Sequence, residues 1–153
     1  MASLVQFHSK IREKKIFKLF TWFTRILLAI AFIPSGLKKL LGERFTNLGL
    51  ESNVGFFFEA LYRTNEYWNF LGFMQLLTAA LIMIPRTAFL GALCYLPIII
   101  NINIIVFAMK FTGTPYITGL MLLANIYLLF WDLDKVKRIV SIVFGDEKIS
   151  GTL

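Results

Sequence analysis

Four apolar blocks run along the chain, at residues 17–37, 68–84, 87–107 and 115–131, and polar residues gather between them instead of alternating within them. Blocks near 20 residues that are apolar on all sides predict membrane-spanning helices, with shorter ones completed by interfacial aromatics. Trp22, Trp68, Tyr116 and Trp131 lie near predicted ends, where such a belt belongs. Only Pro85 and Arg86 separate the second block from the third, which predicts a tight antiparallel hairpin. The fold class read from this pattern is all-α: an integral membrane four-helix bundle over 17–131, with a basic tail at 1–16 and a second tail at 132–153.

The connection 38–67 carries its own periodicity. Val54, Phe57, Phe58, Leu61 and Tyr62 recur at helical spacing, and Glu59 and Arg63 are one turn apart on another face. A short amphipathic helix over about 53–63 is predicted, starting at Ser52 or Asn53, which can cap its first turn. It lies on the membrane surface or folds over the mouth of the bundle, either as plain packing or as a lid.

Charge then fixes an expected orientation. Lys10, Arg12, Lys14, Lys15, Lys18, Arg86, Lys135, Lys137, Arg138 and Lys148 fall on one side, and Lys38, Lys39, Arg44, Arg63 and Lys110 on the other. The basic-rich side stays in the cytoplasm, so both termini are expected there and the chain in the cell inner membrane. The first block is too long for a typical signal-peptide core and lacks a small-residue cleavage site. Composition agrees with the pattern: 58% of the 153 residues are hydrophobic, 16% are charged, and mean hydropathy is +0.71. The net charge of +7 sits in short flanks without a basic face interleaved with aromatics. That points to anionic lipid headgroups and away from nucleic acid.

Polar residues inside the blocks are the candidates for function, because hydrocarbon penalises them. Arg25 lies two residues inward of the first midpoint, Gln75 one outward of the second, Asn101 four outward of the third and Asn125 two inward of the fourth. At about 1.5 Å per residue all four fall within roughly 6 Å of one plane. They are expected to converge as a ligand-binding layer, with Tyr95 beside a kink at Pro97. The plainer alternatives are hydrogen bonds between helices for Gln75, Asn101 and Asn125, and snorkelling to the cytoplasmic interface for Arg25. Asn103 lies about 200° around the helix from Asn101, so one small pocket does not take both.

Several chemistries lack their residues. Cys94 is the single cysteine and His8, in the N-terminal tail, the single histidine, so no dithiol relay, haem site or metal site is expected. No acidic residue lies well inside a block, which disfavours proton-coupled carriage. No nucleophile and base pair marks independent catalysis.

The string from Arg25 to Ser35-Gly36-Leu37-Lys38, followed by Phe70-Leu-Gly-Phe-Met-Gln75-Leu-Leu, resembles the DoxX-like family of small four-helix membrane proteins. The resemblance covers approximately residues 25–127, and Arg25, Gly36 and Lys38 match its first-helix motif. The family name derives from a membrane subunit associated with thiosulfate:quinone oxidoreduction. The resemblance therefore implies a non-catalytic membrane subunit that binds a lipid or quinone and supports a partner redox protein. This chain has Gln75 where the family usually has a glutamate, which leaves Arg25 without a carboxylate and invites an external anion or carbonyl acceptor. The alternative is a small transporter or permease component with a polar site at mid-depth. Small residues such as Gly72, Thr78 and Ala79 leave self-association undecided.

Overall fold

The apolar blocks satisfy their backbone hydrogen bonding locally as helix, through Pro34-Ser35-Gly36 in the first and through Pro97 and the isoleucine-rich stretch 98–106 in the third. A computed structural model describes residues 12–145, and the parts of the two expected tails at 1–11, including His8, and at 146–153 lie outside it. The described chain is all-α, with six helices. They are α1 (Lys15–Leu40), α2 (Asn53–Arg63), α3 (Glu66–Met83), α4 (Ala88–Ala108), α5 (Thr114–Trp131) and α6 (Leu133–Phe144).

The first helix is longer than its apolar block. At 26 residues α1 runs through Pro34 and on to Leu40, although the proline ring removes one backbone donor. It stops where the Gly42 amide donates to the Lys39 carbonyl at 3.1 Å and the Glu43 amide to the Lys38 carbonyl at 2.8 Å, a paired closure typical of helix C-termini. Ser52 opens α2 by accepting a hydrogen bond from the Gly55 amide at 3.0 Å, the usual way a hydroxyl satisfies a free first-turn donor. Between α3 and α4 the Thr87 hydroxyl donates to the Leu81 carbonyl at 3.0 Å, which fastens the short Pro85-Arg86 corner.

Packing runs in a ring: α1 on α3, α3 on α4, α4 on α5, and α5 back on α1. The α1–α3 contact is the most extensive and rests on missing side chains. A Cβ at Gly72 would lie 2.4 Å from the Leu40 amide nitrogen and 2.6 Å from the Gly36 carbonyl oxygen. At Gly91 it would lie 2.6 Å from the Ile82 amide nitrogen, so α3 and α4 are equally close there. Glycine at such crossings lets backbones meet and widens dispersion contact. The buried core is Leu28, Ala29, Phe32, Ala79, Ile82, Ala92, Tyr95, Ile99 and Leu128.

Large apolar residues also point away from this core. Leu19 is 71% exposed, Ile104 63% and Leu123 63%. Three helices, α1, α4 and α5, are long and apolar enough to cross a membrane. The second expected span, 68–84, is not among them: α3 has 18 residues and opens with the polar turn Glu66-Tyr-Trp-Asn69. Residues 132–145 do not form a plain tail, since α6 occupies most of them.

Replacing Gly72 by leucine is expected to destabilise the fold by about 1–3 kcal/mol. Gly119→Leu, where a Cβ meets nothing within 4 Å, is expected to leave it unchanged. Thermal unfolding in mild detergent, followed by size-exclusion chromatography, checks both.

Candidate functional site

The inward face of α1 recurs at helical spacing through Thr21, Arg25, Leu28, Phe32, Gly36 and Lys39, all of them buried. Counting about 100° per residue, Lys39 lies some 40° from Arg25 and Lys38 some 220° from it. The structure follows this geometry, burying Lys39 and exposing Lys38. The sequence motif had pointed to Lys38; the helical phase was the signal that identifies Lys39. Gly36, the middle residue of that motif, serves the close crossing with α3.

The polar residues do not gather in one layer. A Cβ on Gly36 would lie 3.2 Å from the Cβ of Gln75. Gly36 is eleven residues beyond Arg25, about 16 Å along the helix. Gln75 therefore belongs with Lys39, and Arg25 has no contact with it. Centring each apolar block on its own midpoint places Arg25 and Gln75 at similar depth. The actual register is set by the glycine crossing, and α1 continues beyond its block.

Arg25 lies toward the end of the molecule where α5 finishes. It is 8% exposed, its Nε has no hydrogen-bond partner, and its guanidinium carbon is 5.6 Å from the centre of the Trp22 ring. Asp132, just past α5, supplies the attractive acidic field at this position. No ion pair joins the two among the described residues, and the guanidinium's loss of hydration outweighs that attraction. Asp132 is itself buried and pairs with Arg12 at 3.2 Å and Lys135 at 3.3 Å. Nearby, the Thr21 and Tyr127 hydroxyls are 2.9 Å apart.

At mid-height the core is apolar apart from three groups. Tyr95 stacks on Phe32 with centroids 3.9 Å apart and planes 11° from parallel. The Asn125 amide donates to the Ala92 carbonyl at 3.1 Å, joining α5 to α4. The Tyr95 hydroxyl, Thr78 Oγ1 and Asn125 Oδ1 are buried without hydrogen-bond partners. Each unmet group costs about 1–3 kcal/mol. Asn101 does not join them; it is exposed. Asn103 is the buried asparagine of α4, donating to the Ile99 carbonyl at 2.9 Å and the Thr118 carbonyl at 3.0 Å, and accepting from the Thr118 hydroxyl at 3.1 Å. That arrangement is a clamp between α4 and α5 with its polar capacity used.

The remaining group has unused capacity. Lys39 Nζ donates to the Ser35 hydroxyl and, at 3.3 Å, to the Ser35 carbonyl. The Ser35 hydroxyl donates to Gln75 Oε1 at 3.4 Å. The ammonium lies 4.9 Å from the Phe45 ring centre and 5.2 Å from that of Trp68. Trp68 is fixed by its indole N–H donating to the Glu43 carbonyl at 3.0 Å. No carboxylate pairs with Lys39 among the described residues. A ring contact contributes up to about 2 kcal/mol when desolvated, whereas removing an ammonium from water costs several. The site therefore holds one buried ammonium without a counter-charge, which a phosphate, carboxylate or carbonyl oxygen would satisfy chemically. A cavity of about 200 Å³ adjoins it through Phe45, lined also by Arg44, Glu59 and Arg63. There two guanidiniums share one carboxylate, at 3.2 and 2.9 Å.

The chain is 32% identical over 117 residues to the uncharacterized protein YwoB of Bacillus subtilis (strain 168), a stretch covering 72% of this chain and 75% of that protein. No family model matches the chain, and no solved structure does.

The two asparagines of α4 separate experimentally. Asn103→Ala is expected to cost about 1 kcal/mol through loss of the interhelical clamp, and Asn101→Ala less than about 0.5 kcal/mol. Reversible unfolding in detergent measures both.

Proposed function

This chain belongs to the family of YwoB, and we propose that it is a four-helix integral membrane protein of the cell inner membrane that binds a lipid or quinone without catalysing a reaction itself. Helix α3 completes the set of spans with α1, α4 and α5, and the even number of crossings, four, leaves the N-terminus and the α5–α6 junction on the same, cytoplasmic side. The outward display of large apolar residues on α1, α4 and α5 supports immersion, since a water-exposed surface of that kind is unstable against association. The DoxX-like resemblance is part of the same proposal, and with it the role of an accessory subunit to a partner oxidoreductase.

The observation that carries the binding role is Lys39, buried between Phe45 and Trp68, bonded to Ser35, and without a carboxylate. A headgroup phosphate or quinone carbonyl entering beside Gln75 completes its coordination, while the apolar tail lies along the outer surface of the helices. Charge-assisted bonds of this kind are about twice as strong as neutral ones. Arg25, next to Trp22 and within the field of Asp132, orders the opposite end.

Purification in mild detergent followed by mass spectrometry of retained lipids and quinones tests this reading. Wild type is expected to keep one acceptor species at near-stoichiometric ratio. Lys39→Met is expected to stay folded and lose it roughly tenfold or more, while Lys38→Met retains it. Equal retention by the Lys39 variant, or only bulk lipid in wild type, sinks the proposal.

A further inference from the structure

The most amphipathic helix of the molecule belongs to none of these sites. Helix α6 follows α5 after the single residue Asp132, whose backbone, at φ −104° and ψ 41°, leaves the helical region and changes the chain's direction. No residue of α6 is buried, and Ile142, Val143 and Phe144 are 81%, 68% and 78% exposed. At about 100° per residue, Leu133, Val136, Ile139, Val140, Val143 and Phe144 fall on one arc of the helix. Lys135, Lys137 and Arg138 occupy the shoulders and back of the other, which also carries Ile142 between Lys135 and Arg138.

The acidic residues at its start are already engaged. Arg12 pairs with Asp132 and Asp134, and Lys135 with Asp132. Among the described residues no ion pair engages Lys137 or Arg138. Among the described residues the free charge of α6 is therefore positive, next to an apolar face that is partly covered at Leu133 and Val136 and exposed at Ile139, Val140, Val143 and Phe144. The Arg12 guanidinium carbon is also 5.6 Å from the centre of the Trp131 ring, at the position where an aromatic residue marks a membrane boundary.

We propose that α6 is an in-plane helix that docks on the anionic headgroup layer of the same membrane that α5 enters. The inference rests on the membrane-spanning reading of α5. Its apolar arc sinks beneath the headgroups, and Lys137 and Arg138 extend their long stems toward lipid phosphates. Charge complementarity selects an anionic leaflet, and a surface field of that kind reaches only about 8–10 Å at physiological salt. The bend at Asp132 keeps the helix within that distance.

The full chain in lipid nanodiscs provides the test, with Cys94→Ser as background and one spin label introduced by Val143→Cys, Arg138→Cys or Leu123→Cys. Collision with oxygen reports hydrocarbon, and collision with a water-soluble nickel complex reports water. In discs containing phosphatidylglycerol the label at 143 is expected to favour oxygen and that at 138 nickel. In pure phosphatidylcholine, or after Lys137→Gln with Arg138→Gln, occupancy of the docked state is expected to fall by about fivefold per charge removed. Nickel access at 143 in every lipid, with oxygen access at 123, overturns the docking proposal alone. Nickel access at 123 overturns the spanning reading and the docking with it. Concentration-dependent dipolar broadening at 143 identifies a second copy as the partner and also overturns the proposal.

Discussion

The close passage of α1 over α3 at Gly72 is the constraint on which the remaining arrangement depends. Backbone atoms of Gly36 and Leu40 occupy the space that a side chain on Gly72 would need, so the two helices have one register and little tolerance around it. That register sets Gln75 beside Ser35 and Lys39 and leaves Arg25 about three turns away at the other end. The glycine at Gly91 passes the same closeness on to α4, and Asn125 and Asn103 fasten α4 to α5.

Which parts of this could be read from sequence follows from how local their causes are. Helical content is written in the apolar blocks, and the start of α2 in Ser52 and the spacing of Val54, Phe57 and Phe58, because each depends on neighbours within one or two turns. The meeting of polar groups depends on the relative axial placement of helices that are far apart in sequence. Centring Arg25 and Gln75 in their own blocks made them level, but neither the extension of α1 to Leu40 nor the crossing at Gly72 enters such a count. Rotation was more accessible: the 3.6-residue phase from Arg25 selects Lys39 over Lys38. Nothing equally local chose Asn103 over Asn101, since the outward residues of α4 are as apolar as the inward ones.

The two buried cations stand in different electrostatic situations. Arg25 has the field of Asp132 and the face of Trp22. Lys39 has two aromatic faces and a hydroxyl, all neutral. Distance along α1 keeps the two ends apart: at about 20 Å two unit charges repel by under 1 kcal/mol at an effective dielectric of 20. Each end is thus free to hold its own partner without altering the other.

The short corner between α3 and α4 carries a consequence for how the chain is made. Helix α3 contains Glu66, Asn69 and Gln75 and falls short of the apolarity that α4 has in abundance. Joined through Pro85 and Arg86 and pinned by Thr87, the pair leaves the ribosome as one hairpin. In a membrane-inserted chain the favourable partition of α4 then carries α3 with it, and the polar side chains of α3 enter already facing a helix instead of lipid.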